Sequence, residues 1–392
     1  MKILALGGSG GMGRFAVKSL LNFPIISKII VADLNESSAK QFAANFNEKV
    51  EGVGLDVTDY KKLSEAMSAV QVVINTTGPF YKFAEPILRI AIENKCNYLD
   101  ICDDWEPTEK MLSLNETAKK NGITAILGIG ASPGITNVLG ALAIRELDST
   151  EKIYTGWDIS SAKPAKESSQ AGVNAAMLHG IEQMIGRIKI FRNYNYELIR
   201  PLSKINFMYP EIGSKSAYVF GHPEAITFPY HYPDLKESIN LMHGATNFSI
   251  KLIKIIRTFV ELNIITKNWA AKILESLETN PNKKIKLKSF SNLPGVYAYA
   301  EGIKNGKRCG VGVSLEGEDD LNNLSMGEAT GFPLACGVKM LLNDEIKETG
   351  VFSPESQNIN PELFFQYLEK EIGETARTVS YTHLRAHETC TN

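Results

Sequence analysis

The first residues combine a short apolar run with a cluster of glycines, and this feature limits the fold more than any other. The run Ile3–Leu6 leads into Gly7-Gly8-Ser9-Gly10-Gly11-Met12-Gly13, and an apolar helical pattern follows. Gly8, Gly10 and Gly13 match the G-x-G-x-x-G spacing of dinucleotide-binding turns. In such a turn the glycines permit the tight bend, leave room for a pyrophosphate and let helix and strand pack closely. We therefore predict a cofactor loop that also includes Ser9, Gly11 and Met12. A structural turn without a ligand is the alternative.

Two acidic residues follow the next apolar runs. Asp33 ends the run Lys28–Ala32 and lies 20 residues after Gly13. An acid at that distance binds the adenosine ribose hydroxyls in dinucleotide-binding domains. Asp56 and Val57 follow the third run, and we expect them to contact the adenine.

The residues around Asp33 favour NAD over NADP. A carboxylate at this position repels a 2′-phosphate, and Leu34 rather than an arginine follows it. Arg14 is close enough in sequence to the glycines to reach such a phosphate, so NADP stays open as the second cofactor.

The composition limits the number of domains, the kinds of binding partner and the cellular compartment that we expect. The chain has 392 residues, of which 44% are hydrophobic and 22% charged, with a net charge of −2. This size predicts two domains, and the charge indicates neither a nucleic-acid nor a membrane partner. The five cysteines form no C-x-x-C pair, no metal-ligand cluster is evident and no secretory signal precedes the first strand. We expect a cytoplasmic protein with no bound metal.

The order of apolar runs predicts an α/β fold with a doubly wound parallel sheet of the Rossmann type in residues 1–135. Its strands are expected at 2–6, 28–32, 50–55, 71–75, 97–101 and 123–127, and its helices at 12–22, 36–46, 59–68, 83–94 and 107–121. An α+β domain for substrate binding and dimerisation is predicted for 136–325. A C-terminal segment, 326–378, is expected to return to the first domain as a helix rich in small residues, followed by a loop at 350–355 and a helix from residue 361.

Two loops at the carboxyl ends of predicted strands carry polar residues. Thr76, Thr77, Gly78 and Pro79 follow the fourth strand, where ligands bind in such sheets. Asp103 follows the fifth strand and is a candidate for binding or protonating an amine. Capping of the next helix by this carboxylate or its neighbour is the alternative.

The second predicted domain has a different pattern of strands and helices from the first. We predict strands at 152–160, 188–192, 217–220, 225–228 and 296–303, with helices at 169–186 and 236–277. The polar candidates are His179, Arg200, His222 and Glu224; Arg200 could clamp a carboxylate or form an ion pair. The apolar segment 247–262 carries three cations, and a core or oligomer helix is favoured over one lying on a membrane.

Six motifs in this order resemble the saccharopine dehydrogenase family, from residue 1 to residue 375. They are the glycine loop, Asn75-Thr-Thr-Gly-Pro-Phe80, Tyr98-Leu-Asp-Ile-Cys102, Ser132-Pro-Gly-Ile-Thr-Asn137, Gly221-His-Pro-Glu224 and Gly350-Val-Phe-Ser-Pro-Glu355. The resemblance implies an N-terminal Rossmann domain, an α+β domain that forms a homodimer contact and a C-terminal return. It also implies nicotinamide-dependent chemistry at a carbon–nitrogen bond.

Within that family, the hinge loop departs from the reductases that release glutamate from saccharopine. Those enzymes carry an acid before the Pro-Gly pair and Asp-His after it, whereas this chain has Ser132 before the pair and Thr136-Asn137 after it. The loop is more similar to lysine 6-dehydrogenases and carboxynorspermidine-type enzymes. We expect oxidation of an amino acid or related amine to an imine, or the reverse, with Asp103, His179 or His222 as base and Arg200 on a substrate carboxylate.

Two other functions fit parts of the sequence. Gly7, Gly10 and Gly13 also match the turn of short-chain alcohol dehydrogenases and epimerases, which need a Tyr-x-x-x-Lys pair on one helix. The pair Tyr232 and Lys236 is interrupted by a proline. A nucleotide sensor that binds NAD without chemistry is the third reading.

Residues 379–392 look foreign to the rest of the chain. The segment from Val379 is similar to the translated read-through of a common sequencing adapter. We therefore exclude His383, His387 and Cys390 from functional reasoning.

Overall fold

The structure is a computed structural model that describes residues 1–159, 180–181, 183–279, 292–315 and 324–384. These residues fall into two compact units. One unit holds the described residues of 1–138 and 324–377, and the other holds those of 139–315 and 378–384.

The chain begins with alternating strands and helices. The strands are β1 (Lys2–Leu6), β2 (Lys28–Asp33), β3 (Val50–Gly54), β4 (Val72–Asn75), β5 (Asn97–Asp100) and β6 (Thr124–Ile126). The helices are α1 (Gly13–Leu20), α2 (Glu36–Ala43), α3 (Tyr60–Met67), α4 (Phe80–Glu93), α5 (Trp105–Leu112), α6 (Asn115–Asn121) and α7 (Ile135–Arg145). Asn35 and Asp59 begin α2 and α3 by accepting hydrogen bonds from backbone N–H groups of the first turn.

The second unit follows with further strands and helices among the residues that the structure describes. The strands are β7 (Ser149–Asp158), β8 (Ile188–Arg192), β9 (Asn195–Ile199), β10 (Lys204–Tyr209), β11 (Gly213–Val219), β12 (Glu237–His243), β13 (Val296–Lys304) and β14 (Lys307–Leu315). The helices are α8 (Glu224–His231), α9 (Asn247–Glu261) and α10 (Lys267–Thr279).

The last described segment returns to the first unit before its final strand. It contains α11 (Met326–Leu342), β15 (Gly350–Phe352), α12 (Pro361–Ile372) and β16 (Thr378–Leu384). A capping box between Ser325 and Glu328 begins α11. Gly331 in this helix lies so close to α1 that an added Cβ would stand 2.6 Å from the backbone oxygen of Met12. The small residues therefore permit close helix packing, as predicted.

The sheet of the first unit is parallel throughout and runs in the order β15-β6-β5-β4-β1-β2-β3. The direction of strand order changes at β1 and β4, and ligands bind outside the carboxyl ends of strands at such a point. The predicted Rossmann fold is confirmed, and the six predicted strands match to within two residues. The predicted loop at 350–355 is wrong at its start, because Gly350–Phe352 adds a seventh strand beside β6.

The second unit is built on a mixed sheet in the order β10-β11-β12-β7-β13-β14-β16, with β8 paired to β12 and β9 to β8. β12 and β7 are parallel, and their neighbours are antiparallel. Apolar clusters cover both faces: Trp157 packs on the cluster that includes Phe220 and Met242, and Tyr154 packs in the other. β16 pairs with β14 along the sheet edge, so residues 378–384 complete this sheet.

Several predictions for the second unit are wrong. Residues 225–228 lie in α8, and residues 237–243 of the predicted long helix form β12. Residues 225–228 and 238–243 are short, fully buried runs, and such runs do not show whether they form a helix or a strand. Strands β9, β10 and β14 were not predicted. The predicted helix at 169–186 lies mostly outside the described residues.

Candidate functional site

The glycine loop is held tightly between β1, β2 and the loop after β4. Gly7 has a φ of +69°, and its N–H donates to the carbonyl of Ala32 over 2.8 Å. An added Cβ on Gly13 would stand 2.5 Å from both the Gly7 carbonyl oxygen and Oγ1 of Thr76. Only glycine fits at position 13, so α1 starts directly against the loop as a dinucleotide-binding turn requires.

The other glycines define a bend that is packed on one side and open on the other. An added Cβ on Gly8 would lie 2.8 Å from the Cβ of Ala5, and one on Gly10 would lie 3.0 Å from the carbonyl oxygen of Gly7. At Gly11, by contrast, no atom lies within 4 Å of the added Cβ. This open side is where a pyrophosphate can approach the backbone and the first turn of α1.

Ser9 and Asp33 are joined directly. The Ser9 hydroxyl donates to Oδ2 of Asp33 over 2.5 Å, and the backbone N–H of Asn35 donates to Oδ1 over 3.2 Å. The Asp33 side chain is half-buried at the end of β2. The carboxylate is therefore fixed beside the glycine loop, with remaining acceptor capacity for hydroxyl donors.

Arg14 is tied to the loop itself. Its guanidinium donates to the backbone oxygens of Ser9 and Gly10 over 3.0 and 3.2 Å and lies 5.8 Å above the ring of Phe42. These contacts hold the side chain on the protein surface near the predicted ribose position.

Asp56 and Val57 follow β3 at the same sheet edge. Oδ1 of Asp56 accepts hydrogen bonds from the N–H and the hydroxyl of Thr58, over 2.9 and 2.7 Å. These bonds lower the pKa of the Asp56 carboxyl. The exposed carboxylate shapes the turn into α3, and the half-exposed Val57 lies within it.

The loop after β4 packs against β1. The Thr76 hydroxyl donates to the carbonyl of Leu6 over 2.9 Å. The Gly78–Pro79 peptide bond is cis, and Pro79 occupies the N-cap of α4. The hydroxyl oxygen of Thr77 is buried and has no hydrogen-bond partner among the described residues. Such a group leaves one hydrogen bond to be made by a ligand at this edge.

Buried polar residues lie behind this loop. Asn75 donates to the hydroxyl of Tyr98, which donates to Asp100. Oδ1 of Asp100 accepts from the backbone N–H groups of Cys102 and Gly128. Burial raises the pKa of Asp100 to about 6, and the backbone hydrogen bonds limit the rise. All three side chains belong to the motifs quoted above, but none of them was predicted to be a site residue.

Asp103 is half-buried in the turn between β5 and α5. The N-cap of α5 is Asp104, whose side chain accepts no hydrogen bond from the helix. Capping by a side-chain hydrogen bond from this position therefore does not account for the acidic pair, and Asp103 remains a candidate for chemistry at the carboxyl edge.

The candidates in the second unit occupy different surroundings. Arg200 is 66% exposed and lies 3.9 Å from Glu261 in a surface ion pair. His222 is buried, with its ring stacked on Trp157 at 5.4 Å and edge-on to Phe220 at 5.0 Å. His179 lies outside the described residues. Arg200 and His222 thus lie in different environments, one exposed at the surface and the other buried among aromatic rings.

The comparisons with known proteins agree with this geometry. Residues 3–126 match the saccharopine dehydrogenase NADP binding domain. Over its whole length the chain is also similar to a solved structure, the apo saccharopine dehydrogenase (L-Glu forming) of Saccharomyces cerevisiae. The TM-score is 0.61 at 15% identity, and the match covers 98% of this chain and 100% of the other.

The family model thus assigns residues 3–126 to the saccharopine dehydrogenase NADP binding domain. Two curated relatives extend the similarity beyond the first unit. Carboxyaminopropylagmatine dehydrogenase of Synechocystis sp. is 22% identical, covering 91% of this chain and 93% of the relative. Carboxynorspermidine synthase of Vibrio alginolyticus is 20% identical, covering 93% and 94%.

The structure argues against the interpretation as a short-chain alcohol dehydrogenase. Tyr232 is the C-cap of α8, and Lys236 lies in the connection to β12. The two side chains therefore do not share a helix face. Four cysteines are buried free thiols, and no cluster of His, Cys, Asp and Glu that could hold a metal occurs in the part of the chain that the structure describes.

Proposed function

We propose that this protein is an NAD(P)-dependent oxidoreductase that acts on the carbon–nitrogen bond of an amino acid or related amine. The observation that carries the proposal is the tightly packed glycine loop, with Ser9 hydrogen-bonded to Asp33 where the strand order of the sheet reverses. The whole-length relatives are named for carboxyaminopropylagmatine and carboxynorspermidine, both of which are amine compounds.

The residues present fit a dinucleotide. The open side of the loop at Gly10 and Gly11 accepts the pyrophosphate, and Asp33 accepts hydrogen bonds from the ribose hydroxyls. Asp56 and Val57 border the adenine, and the loop from Thr76 to Pro79 borders the nicotinamide. When bound, the nicotinamide supplies or accepts the hydride.

NAD is the proposed preference. A 2′-phosphate would be placed against the Asp33 carboxylate, which is held in position by Ser9 and Asn35. The Arg14 guanidinium is a cation bound to the same loop, but the carbonyl oxygens of Ser9 and Gly10 already accept from it. The repulsion by Asp33 therefore outweighs the attraction by Arg14, which favours NAD, with its free 2′-hydroxyl, over NADP.

We assign the proton chemistry to Asp103 first. It follows β5 at the carboxyl edge, in the same unit as the glycine loop. Oxidation requires a neutral amine, so a nearby carboxylate must accept the proton before the hydride leaves. His222 and His179 are the other proposed bases, and the exposed Arg200 is proposed to hold a substrate carboxylate in place of its ion-pair partner Glu261.

The proposed setting is a cytoplasmic homodimer that takes a small-molecule substrate. No helix among the described residues has the length and apolar character needed to cross a bilayer. All four cysteines that the structure describes are reduced and buried, as a reducing compartment permits.

The test is a steady-state assay of the full chain in both directions. Reduced nicotinamide absorbance is followed with NAD or NADP and a panel of lysine, ornithine, saccharopine, diamines and simple alcohols. The reverse reaction pairs NADH or NADPH with an amine and a carbonyl compound. Turnover on an amine supports the proposal. Turnover restricted to alcohols, or none in either direction, contradicts it.

A further inference from the structure

A buried chain of hydrogen bonds runs from the loop after β4 to the end of β5. The N–H of Thr77 donates to Oδ1 of Asn75 over 3.0 Å, and Nδ2 of Asn75 donates to the hydroxyl of Tyr98 over 2.9 Å. That hydroxyl donates to Oδ2 of Asp100 over 3.0 Å. Asn75, Tyr98 and Asp100 are all fully buried, so water does not compete for these bonds.

The same carboxylate also anchors two further loops. Its Oδ1 accepts from the N–H of Cys102 over 3.1 Å and from that of Gly128 over 2.7 Å. The backbone oxygen of Asp100 accepts from the N–H of Ile129 over 2.8 Å. Asp100 therefore ties together the segments that follow β4, β5 and β6, all at the edge where a dinucleotide binds.

The donor-to-acceptor direction of these hydrogen bonds depends on the charge of Asp100. A carboxylate can only accept, so every donor in the chain points toward it. A protonated Asp100 could instead donate from Oδ2 to Tyr98, whose own proton would then need the oxygen of Asn75. The Asn75 amide would have to rotate, and its NH₂ group would face the N–H of Thr77. Two donors would then oppose each other, and the Thr77 loop would lose its anchor.

We infer that the ionised carboxylate of Asp100 is a positioning residue for the cofactor site, which holds the loop from Thr76 to Pro79 in its binding conformation through Tyr98 and Asn75. The inference rests on the proposed function, because it takes that loop as the nicotinamide contact. Asp100 itself touches neither cofactor nor substrate.

The surroundings leave Asp100 as the group of this network that titrates near neutral pH. Burial raises its pKa to about 6, and the negative charge of Asp103 contributes to the rise. Burial and the charge of Asp100 raise the pKa of Tyr98 and of the Cys102 thiol well above their usual ranges, and Asp103 and Asp104 add to the effect on the thiol. Both groups therefore stay protonated while Asp100 changes charge.

The test is a fluorescence titration of the full chain with NADH between pH 5 and pH 8. If only the ionised form binds, about one molecule in eleven is competent at one pH unit below the pKa, so the apparent Kd at pH 5 is expected to be about tenfold weaker than at pH 8. NADH is the probe because the 2′-phosphate of NADPH itself titrates near pH 6.

Two variants test the Asp100 carboxylate and the hydrogen bonds through Tyr98 separately. Asp100→Asn presents an NH₂ donor to Tyr98 and should bind NADH weakly at every pH. Tyr98→Phe keeps the Asp100 contacts to Cys102 and Gly128 but removes the hydrogen bonds that connect Asp100 to Asn75. Its Kd for NADH should therefore not change with pH. The matched control is Asp59→Asn, which keeps the N-cap of α3 and should reproduce the wild-type profile. Thermal unfolding confirms that each variant is folded.

The outcomes distinguish the inference from the proposed function. A wild-type Kd that is equal at pH 5 and pH 8 overturns the inference and leaves the function intact. A pH dependence that persists in Tyr98→Phe or in folded Asp100→Asn also overturns it, because another group then titrates. If neither NADH nor NADPH binds the wild type at pH 8, the proposed function fails and the inference fails with it.

Discussion

The hydroxyl of Ser9 donates a 2.5 Å hydrogen bond to Oδ2 of Asp33, which connects the glycine loop to the end of β2. One oxygen of the carboxylate is thereby directed toward the loop, while Oδ1 receives the N–H of Asn35. The side chain is fixed before any ligand arrives, so little conformational entropy is lost when it binds a ribose.

Replacement of that carboxylate should change cofactor choice. In Asp33→Ser the ribose loses charge-assisted hydrogen bonds, each worth about 1.5–3 kcal/mol, so NADH affinity should fall at least about tenfold. NADPH affinity should fall less, because the repulsion of the 2′-phosphate disappears. Fluorescence titrations with both cofactors measure the ratio of the two affinities. An unchanged ratio, with Asp59→Asn as the wild-type-like control, would show that Asp33 does not select the cofactor.

The glycine loop offers a matched pair for stability. Gly13→Ala places a methyl group 2.5 Å from the Gly7 carbonyl oxygen and from Oγ1 of Thr76, whereas Gly11→Ala places it in open space. We expect Gly13→Ala to lower the free energy of unfolding by about 1–3 kcal/mol. Gly11→Ala should change it by less than about 0.5 kcal/mol. Urea unfolding measures both, and equal effects would contradict the close packing of α1.

Asp103→Asn tests the proposed base. The amide cannot accept the amine proton, so kcat should fall about 10²-fold or more, while the Kd for NADH stays close to wild type. Asp104→Asn is the matched control in the same turn, and its kcat should remain within a few-fold of wild type. Steady-state kinetics and cofactor titration give the two quantities. Full activity in Asp103→Asn would transfer the role to His222 or His179.

The raised pKa of the buried Asp100 should also make the free energy of unfolding depend on pH. Its pKa is raised from 3.8 to about 6 in the folded protein, so the folded state binds the proton more tightly than the unfolded state. The stabilisation is full below the unfolded pKa and is lost as the pH rises through about 6. The free energy of unfolding of the wild type relative to Asp100→Asn should fall by about 2 kcal/mol between about pH 4.5 and about pH 7.5. Urea unfolding at both pH values checks this, and a rise would contradict the direction of the shift.

The parallel sheet of the first unit could be predicted because its strands alternate with helical patterns, and most of them are short apolar runs that lead into a turn residue or an acid. The glycine spacing could be predicted for a chemical reason, since Gly13 has no room for a side chain. In the second unit, β12 and α8 have buried residues on every side. Neither has the polar face whose period distinguishes a strand from a helix.

The buried network could not be predicted, because its members meet only through sheet register. β4 and β5 place Asn75 opposite Asp100, although the two are 25 residues apart in sequence. A polar residue at the end of a buried strand was the available signal. For Arg200 and His222, residue type alone suggested a role in the site. In the structure Arg200 forms a surface ion pair, and His222 stacks on an aromatic ring.

The most direct measurement follows a deuterium atom from NADH labelled at C4 of the nicotinamide. An amine and a carbonyl compound condense to an imine with loss of water, and the imine accepts the hydride and a proton to become a secondary amine. The account predicts a product with one deuterium on the carbon bonded to nitrogen, formed by the wild type and not by Gly10→Asp, whose side chain fills the pyrophosphate space. Deuterium found in an alcohol, or the same labelled amine formed by Gly10→Asp, would contradict the account.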